Sequence, residues 1–284
     1  MEANRIVLIG LLSFSLSGSL IAKTVVSLQK AFDKKYITAK ATCTGGLELN
    51  YSVSNLLKDS LFITVPAGWR FNSAAGKNDF QDILLTKQEV LVLKPKEIKT
   101  FNIKGYCCEI TKSGPRAGIA YTTGKMADSS LVYLARYLNT HPIDPNTQQY
   151  AVWAISDHKE TANIAGKHDS SAALLRNFVS TLKGEPLPWY TLIKKAYISA
   201  YGDIQDYPVR FKADIPYTVA ETCYSYCYIV NEKGDKVSEV FGKWLQPETN
   251  EYNASFNVTA LKKGDYKLVL ENKKESLFEK SFRI

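Results

Sequence analysis

The sequence is poor in the residues and motifs on which most enzyme and metal sites depend. It contains three histidines, and their spacing is not that of a zinc site. It shows no glycine-rich phosphate loop, no nucleophile elbow and no conspicuous pair of carboxylates. These absences argue against metal, nucleotide and hydrolase chemistry. We therefore expect a protein that is not an enzyme and that uses no metal and no cofactor.

Long apolar runs are absent after residue 22. Residues 1–22 place Arg5 ahead of the apolar stretch 6–12, followed by small and apolar residues up to Ala22, which is the pattern of a signal peptide. A membrane anchor is the alternative, but serines and glycines interrupt the segment before it reaches the length of a span. We expect export to the cell surface or the extracellular space, with the periplasm as the alternative, and at most peripheral contact with a membrane.

Charge of one sign is not concentrated anywhere in the chain. The net charge is +8, from 36 basic and 28 acidic residues, and the basic residues are scattered. A nucleic-acid-binding protein typically concentrates them in a tail or a helix, so we expect no nucleic acid partner. Seventeen tyrosines and four tryptophans suit β-sheet faces and contacts with proteins or carbohydrates. The expected partner is a protein or a glycan on a cell surface.

Short alternating apolar segments predict a mainly β protein with a helical block. Residues 23–124 contain several such segments separated by turn signals, which predicts an immunoglobulin-like β-sandwich. Residues 125–198 change to helical spacing, which predicts helices over about 129–138, 146–156 and 169–182 and a short helix reaching Ile198. Asp128 is the expected N-cap of the first helix. Residues 199–284 return to strands and predict a second immunoglobulin-like sandwich.

Five cysteines in an exported chain allow disulfides but leave at least one thiol. Cys223 and Cys227 lie about 13 Å apart if their segment is a strand, which is too far for a bridge. Strand parity points Cys43 and Cys107 inward, which favours a disulfide between them, and points Cys108 outward as an accessible thiol.

Residues 148–153, Gln-Gln-Tyr-Ala-Val-Trp, resemble the Thr-Gln-x-Ala-[Ile/Val]-Trp signature of bacterial surface thioester domains, with Gln148 in place of the threonine. The resemblance covers about residues 105–157. It implies a bond between Gln149 and a cysteine that follows an aromatic residue. Tyr106-Cys107 fits that context, whereas strand parity favours Cys108 as the reactive thiol, and the sequence leaves both open. The spacing from cysteine to glutamine is shorter than in those domains.

A thioester would form when a thiolate attacks the side-chain amide of Gln149 and expels ammonia, aided by proximity in the folded chain. Trp153 lies one helical turn further on and could shield the bond from water. An amine on another protein would then be acylated, which gives a covalent tether without turnover. The alternative is an inert site in which Gln149 and Trp153 are ordinary helix residues and Cys107 is disulfide-bonded.

The C-terminal part carries a second resemblance. The segments 229–234 (Ile-Val-Asn-Glu-Lys-Gly) and 261–266 (Leu-Lys-Lys-Gly-Asp-Tyr), with the last strand, resemble the immunoglobulin-like sorting domains of type IX secretion cargo in Bacteroidetes. The resemblance implies a secretion or sorting role for about residues 210–284. A plain sandwich without that role is the alternative.

The sequence favours an exported adhesion or binding protein that can form a thioester. A structural or assembly protein of the cell envelope, with a disulfide-braced β-domain and no reactive bond, is the second hypothesis. A cysteine hydrolase would need Cys108 with His141 or His158 as its base, and no motif around these residues supports that third possibility.

Overall fold

Strands dominate the computed structural model, which describes residues 23–74, 80–166, 169–198 and 204–284. Strands hold 50% of the residues and helices 19%, so the expected mainly β class with a helical block is confirmed at that level. The expected signal peptide, residues 1–22, lies outside the described residues.

The N-terminal strands form two sheets. Their bounds are β1 Lys23–Ser27, β2 Ile37–Gly45, β3 Glu48–Asn55, β4 Ser60–Val65, β5 Trp69–Ser73, β6 Ile83–Leu84, β7 Glu89–Leu93, β8 Ile98–Lys104, β9 Tyr106–Cys107 and β10 Ala120–Met126. A short helix, α1 (Leu28–Asp33), follows β1. The small sheet has the order β1-β4-β7, and the large sheet has the order β8-β3-β2-β10-β5-β6-β9. One apolar cluster contains buried residues of both sheets, among them Leu61, Leu91, Tyr51 and Phe71.

The helical segment matches the expected pattern closely. It consists of α2 (Ser129–Thr140), α3 (Pro145–Ser156), a 3-10 turn (Thr161–Asn163) and α4 (Asp169–Lys183). Asp128 caps α2 through a hydrogen bond from the Leu131 amide, as its position predicted. The apolar faces of these helices pack on β9 and the residues after it, which forms a second core cluster.

The C-terminal part contains the strands β11 Tyr190–Ile198, β12 Ile204–Val219, β13 Cys223–Asn231, β14 Lys236–Leu245, β15 Glu248–Asn257, β16 Asp265–Asn272 and β17 Ser276–Arg283. They form one sheet ordered β11-β12-β15 and another ordered β14-β13-β16-β17. A third core cluster holds buried residues of both, including Phe211, Ile215, Ile229 and Leu268. The short helix expected up to Ile198 is wrong, because that segment is β11 and pairs along its length with β12.

Candidate functional site

The candidate site lies where α3 packs against β9. The helix begins at Pro145 because Asp144 caps it, with its carboxylate accepting hydrogen bonds from the Thr147 amide at 3.0 Å and the Thr147 hydroxyl at 2.5 Å. Most of its residues from Thr147 to Ile155 are buried, because the helix has neighbours on several sides. A helix packed in this way holds its side chains in fixed positions.

Gln149 hydrogen-bonds to the backbone of Cys107 at both ends of its amide. Its Oε1 accepts from the Cys107 amide at 3.0 Å, and its Nε2 donates to the Cys107 carbonyl oxygen at 2.8 Å. On its other side, β9 pairs with β6, with Ile83 opposite Cys107. The side chain of Gln149 therefore occupies the place of a neighbouring strand along β9. The structure thus brings Gln149 to residue 107, the cysteine that follows Tyr106.

Further contacts fix α3 on the residues after β9 and before β6. The carboxylate of Asp157, just after the helix, accepts a hydrogen bond from the Ile110 amide at 3.0 Å. The indole nitrogen of Trp153 donates to Gln81 Oε1 at 3.4 Å. Gln148 points elsewhere, since its Nε2 donates to the Ile143 carbonyl at 2.7 Å. Neighbouring glutamines in the motif thus have separate roles, and Gln149 is the one at the cysteine.

Both adjacent thiols are buried. Cys107 is 2% exposed and Cys108 is 0% exposed, so the expectation that Cys108 is accessible is wrong. Strand alternation fails there because β9 ends at Cys107 and the Cys108 amide turns toward the Asp82 carbonyl at 3.0 Å. Burial raises the pKa of the Cys107 thiol to about 12. Burial also raises the pKa of Cys108 well above its usual value, although the nearby Arg70 guanidinium acts in the opposite direction.

Cys43 does not bond to Cys107 in the structure, where all five cysteines are free thiols. The two residues lie in β2 and β9, which are strands of the same large sheet. A bridge of the immunoglobulin type joins two facing sheets, so the disulfide expected between Cys43 and Cys107 does not occur in this structure.

A cluster of charged side chains lies beside Cys108, and no sequence pattern predicted it. The Arg70 guanidinium contacts the carboxylates of Asp82 and Glu109, and Nε donates to Asp82 at 2.9 Å. Asp82 also accepts from Asn72 at 2.7 Å. These residues come from β5, from the segment before β6 and from the segment after β9, which the fold brings together. The cluster fixes the backbone on which Cys107 and Cys108 lie.

A cleft of about 570 Å³ opens on one side of the glutamine. Helix α3 contributes Gln149, Tyr150 and Trp153 to its wall, and β11 contributes residues 193–196. Gln149 is partly exposed while both cysteines are buried. Trp153 is 3% exposed and packs edge-on against the Tyr150 ring at 5.5 Å. The side chain of Gln149 is therefore open to the cleft beside the indole, while its amide bonds the backbone of a residue whose thiol is buried.

His141, considered as a hydrolase base, contacts its own helix. His141 lies at the end of α2, where its ring stacks on Tyr137 at 4.0 Å between ring centres. Within the described residues, no group of three or more potential metal ligands is close together. No helix of the described ranges has the length and apolar character needed to cross a membrane.

Comparisons with known proteins identify no family. No family model and no curated protein matches the chain. Two solved structures show a faint likeness. One is a β-glucosidase from Kluyveromyces marxianus in complex with glucose, at 8% identity, 84% coverage of this chain, 44% of the other, and a TM-score of 0.21. The second is DesR, a β-glucosidase from Streptomyces venezuelae, at 9% identity and a TM-score of 0.18. That match covers 87% of this chain and 47% of the other. The chain spans less than half of either structure, and scores this low carry no argument about fold or activity.

Proposed function

We propose that this is an exported cell-surface adhesion protein in which Cys107 and Gln149 form an internal thioester that captures an amine. The observation that carries the proposal is the pair of hydrogen bonds between the Gln149 amide and the Cys107 backbone. They hold the amide carbon beside the residue that bears the thiol. The cleft then gives an outside nucleophile access to the same amide.

The chemistry needs no group that the chain lacks. The sulfur of Cys107 attacks Cδ of Gln149, the C–N bond of the amide breaks, and the nitrogen leaves as ammonia with the thiol proton. A primary amine entering the cleft attacks the same carbon, forms an amide bond and returns the sulfur to the thiol state. Each site acylates one amine and is then consumed, so the protein is a tether and not an enzyme.

Cys107 is a better candidate than Cys108 for the sulfur. The Gln149 amide contacts the backbone of residue 107 on the side of β9 that faces α3, whereas the Cys108 amide faces Asp82. Cys108 is also completely buried, beside the Arg70 cluster. We assign Cys108 the supporting role of anchoring the strand end.

Burial opposes the first step, and proximity favours it. With a pKa of about 12, the Cys107 thiol is almost entirely protonated at neutral pH. Holding the reacting groups together corresponds to effective molarities of about 10⁵ M or more in well-oriented systems, which offsets a small thiolate fraction. The same burial keeps water from the sulfur side of the thioester, and Trp153 limits access on the cleft side.

The wider architecture fits an exported binding protein. We propose that the N-terminal sheets and the C-terminal sheets each form an immunoglobulin-like sandwich, since each pair of sheets shares one apolar cluster. In this proposal the C-terminal sandwich serves sorting or display, and the partner is a protein or glycan on a cell surface.

A structural protein of the envelope is the second candidate, and one observation favours it. The two hydrogen bonds of Gln149 satisfy the free edge of β9, which a purely structural glutamine would also do. In that case Cys107 stays a buried thiol and α3 is a brace for the large sheet.

The test is the intact mass of the non-reduced protein before and after exposure to methylamine. The thioester predicts a mass one ammonia lower than that of the free-thiol chain, and methylamine added at Gln149. Cys107→Ser should abolish both results, whereas Cys108→Ser should preserve them. A full mass with no amine uptake would refute the thioester and leave the structural protein.

A further inference from the structure

Exposed aromatic side chains lie side by side on the outer face of the sheet β14-β13-β16-β17. Along β13, Ser225 and Cys227 point into the core, and the alternate residues Tyr224 and Tyr226 lie on the opposite, exposed face. Trp244 of β14 lies opposite Tyr224 in the strand register and is 64% exposed. These three aromatic residues form what we call the aromatic stripe. Exposed patches of this kind typically mark a binding surface.

The rings of the aromatic stripe hold one another in place. The centre of the Tyr224 ring lies 5.5 Å from that of Trp244 and 5.1 Å from that of Tyr226, and the ring planes meet at 84° and 68°. Gly242 leaves room for this arrangement, since a Cβ there would lie 2.8 Å from the Tyr224 hydroxyl. Because Trp244 contacts Tyr224 edge-on and most of its surface is exposed, its indole keeps a face open to solvent.

The charged groups around the aromatic stripe neutralise one another. Lys236 Nζ lies 5.8 Å from the centre of the Tyr226 ring and 3.5 Å from the Glu239 carboxylate. Further across the same face, Lys267 pairs with Glu279 at 2.6 Å. An anionic ligand requires an excess of positive charge, and a quaternary ammonium ligand would be repelled by Lys236 beside the rings. The surroundings therefore favour a neutral ligand.

The edge of this sheet argues against a second copy of the chain as the ligand. In the described part of the chain, β14 is the outermost strand of its sheet. Its pairing with β13 shifts register at two places, and it carries Lys236 and Lys243. Bulges and lysines are the means by which edge strands avoid pairing with other chains. The exposed rings beside this edge therefore suit a ligand that lies on the face of the sheet.

The shape of the exposed face indicates an extended ligand. Tyr228 continues the row of Tyr224 and Tyr226 along β13, which gives the aromatic face a length of about 13 Å on a strand. A polar border follows, since the Tyr228 hydroxyl hydrogen-bonds to Glu271. A β-linked chain of hexopyranoses is an extended ribbon whose sugar rings present C–H groups on their faces and hydroxyls at their edges. Such a ribbon matches a narrow row of aromatic rings with polar groups beside it.

We propose that the aromatic stripe binds a neutral, extended β-linked polysaccharide. One sugar ring stacks on the open face of the Trp244 indole, and the next lies over Tyr224 and Tyr226, whose hydroxyls exchange hydrogen bonds with the sugar. The aromatic stripe shares no residue with the Cys107–Gln149 site. This binding is therefore reversible, goes beyond the proposed function and occurs whether or not a thioester forms.

The test measures binding of cellohexaose and mannohexaose to the full chain by calorimetry. At least one of these β-linked probes should bind, and the affinity should change little with salt because no charge contact is involved. Trp244→Ala should lower the affinity about tenfold or more, since the stacking surface is lost. Tyr226→Ala should also lower it and serves as the second variant, with circular dichroism to check that both fold. The control is Tyr133→Ala, which removes an exposed aromatic ring from α2.

Four results would overturn the proposal. The first is no binding of either β-linked probe. The second is an equal loss of affinity in Tyr133→Ala, which would indicate unspecific contact with exposed rings. The third is equal or tighter binding of maltohexaose, whose α links curl the chain. The fourth is a dimer that dissociates in Trp244→Ala by sedimentation, which would identify the aromatic stripe as an interface between copies of the chain. None of these results depends on the mass measurement that tests the thioester.

Discussion

At the scale of single residues, Gly105 marks the closest approach of two chain segments near the candidate site. A Cβ at this position would lie 2.4 Å from Ile83 Cγ2 and 2.6 Å from the Leu84 carbonyl oxygen. Distances this short are well inside van der Waals contact, and one of the atoms is backbone. Gly105 therefore lets the chain turn from β8 into β9 directly against β6.

We predict that Gly105→Ala destabilises the protein by about 2 kcal/mol or more, because β9 must move away from β6. Urea unfolding measures the change. Gly264→Ala is the matched control, since its Cβ would meet no atom closer than 3.7 Å. Similar losses in both variants would contradict the argument from close packing.

Gln149 gives a second prediction at this scale. Gln149→Ala leaves the amide and carbonyl of Cys107 without their partners, so the free energy of unfolding should fall by about 2 kcal/mol. Gln29→Ala is the control, because it removes a glutamine whose hydrogen bond to Asp33 is exposed. It should lower the free energy of unfolding by much less than Gln149→Ala does. Equal effects in urea unfolding would show that Gln149 does not support β9.

At the scale of elements, the burial of β9 should make stability depend on pH. The pKa of Cys107 is raised to about 12, so the folded state favours the protonated thiol. This contribution is complete below the ordinary thiol pKa, and it is lost as pH rises from about 9 toward 12. We expect the free energy of unfolding to fall over that window, and to fall less in Cys107→Ser.

The comparison uses urea unfolding of both proteins at about pH 8 and about pH 11. Other buried groups, such as Cys227 and Tyr51, titrate in both proteins and cancel in the difference. A chain in which Cys107 is already acylated would show no difference between the two proteins, so the experiment is interpreted together with the intact mass.

The elements also show which parts of the fold the sequence could predict. The three helices of the middle segment and most strands were predicted correctly, because local periodicity and caps determine them. Residues 190–198 were not, since a short apolar segment with two lysines fits a helix or a strand, and only pairing with β12 decides it. The parallel pairing of β1 with β4 depends on distant contacts and had no local signal.

At the scale of the whole molecule, the candidate site combines parts that sequence reasoning could and could not find. The motif singled out Gln149 and Trp153, and the fold places Gln149 on the backbone of β9 and the Trp153 indole on Gln81, just before β6. The accessibility of Cys108 was predicted wrongly because the strand is too short for parity to apply. The Arg70, Asp82 and Glu109 cluster joins residues far apart in the chain, which no local pattern could predict.

The burial of the thiols predicts their reactivity in the whole protein. Cys223 is partly exposed and the other four cysteines are buried, so a thiol reagent should label Cys223 first in the native state. When the chain is unfolded without reductant, the reagent should label all five cysteines if none of them is bonded. A thiol that appears only after amine treatment would indicate a thioester, and two thiols that appear only after reduction would indicate a disulfide.

The contact between Gln149 and Cys107 also bears on self-association. A strand at the end of a sheet presents free amides and carbonyls to any passing strand, and such edges template polymerisation. Here a side-chain amide closes the outer edge of β9 at Cys107, and the carboxylate of Asp157 covers the Ile110 amide further along. A chain in which α3 has detached would expose that edge. The helix therefore protects the large sheet from pairing edge to edge with other copies of the chain and forming fibres.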